Sequence, residues 1–82
     1  MRKKLKKPYD LVAEALVVKP DSLNENSAMG QHPNWDSFNH LSVVIAIETN
    51  YGISIPDEDL MKYDNMKSIV ELYNWKAEAS RS

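Results

Sequence analysis

The sequence predicts an all-α protein consisting of one small domain. Its 82 residues include only two glycines, and the one alternating stretch, residues 52–56, is too short to build a sheet. Apolar residues instead recur at three- and four-residue spacing, which is typical of amphipathic helices. We expect a four-helix bundle with a short third helix and a long loop between helices 1 and 2.

The first helix is predicted to run from Pro8 to about Val18. Proline suits the first turn of a helix, and Pro20 is incompatible with continuing it. The apolar residues that recur at helical spacing should form its buried stripe. They are Tyr9, Val12, Ala13, Leu16 and Val17.

A long loop is predicted over residues 20–35, which are rich in Asn, Ser, Pro and Gly. Loops of this length without secondary structure are uncommon and often functional. Three large apolar side chains are spaced through the loop, so we expect it to pack onto the helices. They are Leu23, Met29 and Trp35.

The second helix is predicted to start at Asp36 or Ser37 and to end near Tyr51, with Gly52 as its C-cap. Its middle carries little polar surface. The apolar residues are Phe38, Leu41, Val43, Val44, Ile45, Ala46 and Ile47. Such a helix is buried on more than one side, or one apolar flank meets another molecule.

A short third helix should begin at Pro56, because residues 57–59 place three carboxylates in its first turn, where the helix dipole favours negative charge. The fourth helix should occupy most of residues 64–80, with Asp64 or Asn65 as its cap. Its predicted buried side consists of Met66, Ile69, Val70, Leu72 and Tyr73.

Charge divides the chain into a basic tail, residues 1–7, and a single domain, residues 8–78. The tail holds five of the ten basic residues, which leaves five basic against twelve acidic residues from Pro8 onward. An acidic body repels phosphates, so no nucleic acid partner is expected, and the tail is interpreted as a solvated terminus rather than a nucleic-acid or membrane arm.

The absence of cysteine excludes disulfides and cysteine-based metal sites and fits a reducing compartment. No apolar run approaches the roughly 20 residues of a membrane span, and no apolar segment of a signal peptide follows the basic tail. We therefore expect a cytoplasmic protein without a membrane span.

Ser37 allows two interpretations from the sequence alone. A serine before an apolar helix is a common N-cap, and the same position also suits an exposed hydroxyl that is modified. A hydrolase built on Asp36, Ser37 and His40 is disfavoured because no oxyanion hole or substrate cleft is visible in so short a chain. A metal site of His32, Asp36 and His40 matches no standard ligand spacing, so neither an enzyme nor a metal site is expected.

The stretch "DSFNHLSVVIAIETNYGISIPDEDL", residues 36–60, resembles the acyl carrier protein family without a gap, and the resemblance extends from Leu11 to about Trp75. It implies a bundle of acyl-carrier type that carries acyl or aminoacyl thioesters on a covalent 4′-phosphopantetheine. Ser37 matches the family's attachment serine, and Asp36 and Phe38 match its neighbours. The arm would come from coenzyme A through a phosphopantetheinyl transferase.

The resemblance also implies a monomer that binds loading ligases and acyltransferase-type enzymes through helices 2 and 3. By position, the expected partner surface consists of Asn39, Leu41, Ser42, Ile45, Glu48, Thr49, Ile55, Asp57, Leu60 and Met61. Members that serve fatty acid synthesis have several carboxylates along the second helix, whereas this one has only Asp36 and Glu48 near its ends. That departure favours a specialised stand-alone carrier for a polysaccharide, peptide-like or secondary-metabolite pathway. The alternative is a helical interaction domain in which Ser37 is only a cap.

Overall fold

The computed structural model describes residues 5–81, with side chains through residue 78, and helices are the regular secondary structure of that range. Three α-helices and two 3₁₀ helices follow in the order α1 (Pro8–Leu16), η1 (Pro20–Ser22), α2 (Ser37–Tyr51), η2 (Asp57–Tyr63) and α3 (Met66–Arg81). The all-α prediction is confirmed, and η2 is the short third helix. No helix in the described range is both long and apolar enough to cross a bilayer.

The core lies where the three α-helices meet and is closed by residues from the connections between them. Its helical members are Leu11, Val12, Ala13, Leu16, Val43, Val44, Ile47, Tyr51, Met66, Ile69 and Leu72. Leu23, Trp35 and Ile55 join from the connections. Met29 packs against this core and is half-buried, so the long loop folds onto the helices as predicted. Each large side chain buried in this way stabilises the fold by roughly 1.5–3 kcal/mol.

The end of α1 corrects the prediction for Val17. The helix stops at Leu16, and Val17 adopts the left-handed conformation with φ 58° and ψ 51°. Its amide donates to Glu14 O at 3.2 Å and that of Val18 to Ala13 O at 2.9 Å, the bonding pattern of a Schellman C-cap. This turn directs the Val17 side chain outward, so it is 86% exposed and not part of the buried stripe. Pro20 begins η1 rather than ending α1.

The long loop is joined to the start of α3 by backbone hydrogen bonds. Met66 N donates to Ser27 O at 2.9 Å, and Met29 N donates to Asp64 O at 2.7 Å. Of the two candidate caps for α3, Asn65 takes the role, because its Oδ1 accepts from Ser68 N at 2.9 Å. The loop therefore has a fixed course although it contains only one turn of 3₁₀ helix.

A buried histidine connects the end of the loop, α2 and η2. Trp35 Nε1 lies 3.1 Å from His40 Nδ1, and His40 Nε2 lies 2.7 Å from Leu60 O. An indole N–H can only donate and a carbonyl can only accept, so both bonds require a neutral imidazole protonated at Nε2. We call this arrangement the His40 clamp. Trp35 and His40 are both almost fully buried.

The opposite end of α2 binds the segment before α1. The Tyr51 hydroxyl donates to Lys6 O at 2.9 Å, and Lys6 Nζ pairs with Glu14 Oε2 at 2.7 Å. Burial, with a smaller contribution from Tyr73, raises the pKa of Tyr51 above its ordinary value. Part of the basic segment thus lies against the domain, and the boundary at Pro8 stays a prediction. Residues 1–4 of the predicted tail lie outside the described range.

Replacing Val17 by glycine should stabilise the protein. A β-branched residue in the left-handed region is strained by about 1–2 kcal/mol, more than the entropy that glycine adds to the unfolded chain, so the free energy of unfolding should rise by about 0.5–1 kcal/mol. Urea denaturation measures this change. Val18→Gly is the matched control and should destabilise, since Val18 is half-buried and its φ is not positive. A loss of stability in Val17→Gly would contradict the capping geometry.

Replacing His40 by leucine should destabilise the protein by roughly 2–4 kcal/mol, because it leaves the Trp35 N–H and the Leu60 carbonyl buried without partners. Thermal and urea unfolding followed by circular dichroism give the change. His32→Leu serves as the control, since its ring lies outside the core and contacts Ser22 and Asn34. If both variants lost the same stability, the clamp would not have the role assigned to it.

Tyr51→Phe should cost about 1 kcal/mol at neutral pH through the lost hydrogen bond to Lys6 O. It should also change the alkaline behaviour. A raised pKa in the folded state means that the stabilisation is complete below the ordinary value of 10.0 and is lost at higher pH, where only the unfolded chain ionises readily. Urea midpoints between about pH 8 and pH 11 should therefore fall less in Tyr51→Phe than in the wild type. Equal alkaline losses in the two proteins would contradict this assignment.

Candidate functional site

The start of α2 shows which residue caps the helix. Asp36 is the N-cap, with φ −104° and ψ −179°, and its Oδ1 accepts from Asn39 N at 2.7 Å. His40 N donates to Asp36 O at 2.9 Å, so the first intrahelical bond also closes on Asp36. Ser37 is the first residue inside the helix. Its hydroxyl is not the cap.

The Ser37 side chain is exposed, as are its neighbours Asp36 and Phe38. Within the described part of the chain, no side-chain hydrogen bond involves Ser37 Oγ. Amides in the first turn of a helix lack intrahelical acceptors, and the helix dipole places partial positive charge there. The position therefore combines an accessible hydroxyl with surroundings that suit an attached phosphate diester.

The segment that leads into Ser37 is held from several sides. Asn39 Nδ2 donates to Asn34 O at 2.9 Å, and Asn34 Nδ2 lies 3.4 Å from Leu16 O at the end of α1. Gly30 N donates to Trp35 O at 2.8 Å, and the Trp35 ring is fixed by the His40 clamp. The backbone around Ser37 is thus held in place by hydrogen bonds, although Ser37 follows a long loop.

The geometry separates the members of the hydrolase and metal constellations considered above. Both ring nitrogens of His40 are bound inside the protein, so the ring does not reach out to activate Ser37. His32 contacts Ser22 Oγ and Asn34 N, and Asp36 caps α2. The three candidate metal ligands, His32, Asp36 and His40, therefore each bond to different partners within the chain.

Most of the expected partner surface lies on the outside of α2 and η2. Leu41, Ser42, Ile45, Thr49, Asp57 and Met61 are exposed, and Asn39, Glu48 and Leu60 are half-buried. The expectation that Ile55 belongs to this surface is corrected, because its side chain is 7% exposed and belongs to the core cluster. Glu48 is also engaged within the chain, since its Oε2 accepts from Ile55 N at 2.9 Å.

The candidate site is a surface feature rather than a cleft. An open groove of about 740 Å³ lies between α1, η1 and α3, with Tyr9, Leu23 and Tyr73 among its lining residues. Ser37 does not line it. The chemistry that acts on the Ser37 hydroxyl would therefore have to come from another protein.

The role of His40 was missed by the interpretation of the sequence, although the sequence contains a signal for it. His40 precedes Val43, Val44 and Ile47 by three, four and seven residues, which places it on the same helical face as the core residues of α2. A polar residue on that face needs buried partners. The donor, Trp35, comes from the loop, and the acceptor is a backbone carbonyl of η2.

Three curated proteins named acyl carrier protein align with most of the chain. That of Thermosynechococcus vestitus is 28% identical over 75 residues, which are 92% of this chain and 93% of the relative. Those of Campylobacter hominis and Zymomonas mobilis are 34% and 33% identical over 61 and 60 residues, which are 74% and 73% of this chain and 77% of each relative.

The chain matches no protein-family model. The relatives carry the assignment instead, because two of them exceed 30% identity over about three quarters of the chain. The family they name is the one that residues 36–60 resemble. The chain belongs to the acyl carrier protein family, whose members are carriers rather than enzymes.

Proposed function

We propose that this chain carries acyl or aminoacyl groups as thioesters on a 4′-phosphopantetheine arm attached to Ser37 and presents them to partner enzymes. The observation that carries the proposal is the division of roles at the start of α2. Asp36 caps the helix, so the Ser37 hydroxyl is exposed and uncommitted. A chain in which Ser37 served only as the cap would have its hydroxyl bonded to the first turn.

The attachment reaction needs a nucleophile from this chain and activation from another protein. The Ser37 oxygen would attack the phosphorus next to the pantetheine of coenzyme A, forming one P–O bond and breaking the pyrophosphate bond. Adenosine 3′,5′-bisphosphate would leave, and the hydroxyl proton would pass to a base on the phosphopantetheinyl transferase. Since both ring nitrogens of His40 are engaged in the clamp, His40 is not proposed as that base.

The residues around Ser37 fit the group that the family implies. The diester would lie at the N-terminus of α2, where the Ser37 and Phe38 amides precede the first intrahelical bond and the dipole is favourable. When attached, the arm supplies a terminal thiol that holds the cargo as a reactive thioester. The chain itself fixes the anchor point, since Asn34, Asn39 and the His40 clamp hold the base of α2.

The proposed partners are the transferase, a ligase that loads the acyl or aminoacyl group, and acyltransferase-type enzymes that remove it. The scarcity of carboxylates on α2 favours a specialised stand-alone carrier over a general carrier for fatty acid synthesis. We further propose that the protein acts as a monomer in the cytoplasm.

Incubation with coenzyme A and a broad-specificity phosphopantetheinyl transferase should add the mass of one phosphopantetheine to the wild type. Ser37→Ala should gain none, because the nucleophile is gone. Intact-protein mass spectrometry measures both. Ser54→Ala, which removes an exposed serine outside the expected partner surface, is the matched control and should be modified like the wild type. A wild type that stays unmodified, or a Ser37→Ala variant that gains the arm, would overturn the proposal.

A further inference from the structure

Four of the large apolar side chains that are exposed in the described range belong to α2 and η2, the two elements that the His40–Leu60 hydrogen bond joins. Phe38, Leu41 and Ile45 of α2 are 79%, 49% and 61% exposed, and Met61 of η2 is 52% exposed. At helical spacing, the three α2 residues lie on one face, opposite the core residues Val43 and Ile47. We call Phe38, Leu41, Ile45 and Met61 the apolar stripe. Exposed apolar patches on monomers commonly mark binding sites.

The four side chains of the stripe are uncharged, and the two carboxylates at the ends of its α2 part bond within the chain, whereas η2 adds exposed Asp57, Glu58 and Lys62 on the element of Met61. No ionisable Asp, Glu, Lys or Arg occurs in residues 37–47. Asp36 accepts from Asn39 N and Glu48 accepts from Ile55 N, so both carboxylates at the ends of this face bond within the chain. Ser42 and Thr49, the polar residues on the same outer face, are neutral.

We infer that the enzyme acting on Ser37 docks on the apolar stripe through an uncharged apolar surface, and that electrostatic attraction contributes little to this contact. The inference rests on the proposed function, because it identifies the chemistry of the partner at that site. The stripe begins at the residue next to Ser37, so an enzyme that reaches the hydroxyl is placed against it. A basic docking surface would be desolvated there without a compensating charge.

A second copy of this chain fits the stripe less well. From Phe38 to Ile45 the helix rises only about 10 Å, and four side chains of this size expose a few hundred Å². A stable pair of proteins usually buries roughly 800 Å² on each partner. A patch this small instead suits a transient complex, as a carrier that must be released requires.

The test measures the KM and kcat of a broad-specificity phosphopantetheinyl transferase for this chain as the varied substrate, with coenzyme A saturating. Ile45→Glu and Ile45→Gln should each raise KM roughly tenfold with a smaller change in kcat, since both remove apolar contact at the dock. Trp75→Glu is the matched control. Trp75 is also 61% exposed but lies on α3, so the KM of the transferase for Trp75→Glu should equal its KM for the wild type. The wild-type KM should vary by no more than about twofold between about 0.05 and 0.5 M NaCl.

Four outcomes would overturn the inference while leaving the proposed function intact. Ile45→Glu could lower KM, which indicates a basic docking surface. Ile45→Glu and Trp75→Glu could have equal effects, or KM could rise steeply with salt. Sedimentation that shows a wild-type dimer dispersed by Ile45→Glu would also overturn it, because a second copy would then cover the stripe. Failure of the wild type to gain any phosphopantetheine would instead refute the proposed function.

Discussion

The fold depends on one buried polar contact, the His40 clamp. A domain of this size has a small core, and an unpaired donor or acceptor inside it would remove a large part of its stability. Here Trp35 donates to one nitrogen of His40 and Leu60 accepts from the other. Within the described residues, no buried side-chain polar atom lacks a partner. The clamp thereby joins the end of the long loop, α2 and η2, three segments that no sheet or helix pairing connects.

The clamp also explains how α2 can be apolar on nearly every side and still belong to a small fold. Val43, Val44 and Ile47 face the core, and His40 extends the same face to η2. The remaining apolar residues, Phe38, Leu41 and Ile45, are left on the outside. Of the two alternatives raised by the sequence, burial on more than one side does not describe this helix, and its exposed apolar flank is the one that we infer meets another molecule.

The sequence predicts the helical class, the order of the helices and most of the core, because amphipathic spacing and proline positions act locally. It does not decide between Asp36 and Ser37 as cap, since both side chains are good N-caps and only the register of one residue separates them. Val17 was placed in the core because the spacing continues through it, but the chain turns one residue earlier into the left-handed region. The clamp of His40 was not predicted, for a different reason. Local spacing places His40 on the core face of α2, but its partners come from distant segments and are not encoded in that spacing.

Because Asp36 and not Ser37 caps α2, the Ser37 hydroxyl is kept out of the first turn of the helix. The orphan amides at the start of α2 would attract the nearest side-chain oxygen, and without a carboxylate at position 36 the Ser37 hydroxyl is the adjacent candidate. A serine drawn into that role would shift the helix start by one residue and bond its own oxygen to the first turn. Asp36 therefore keeps the hydroxyl free by satisfying Asn39 N itself. On this view the aspartate acts on Ser37 through the backbone, as a positioning residue, and the exposed hydroxyl is a result of where the helix begins.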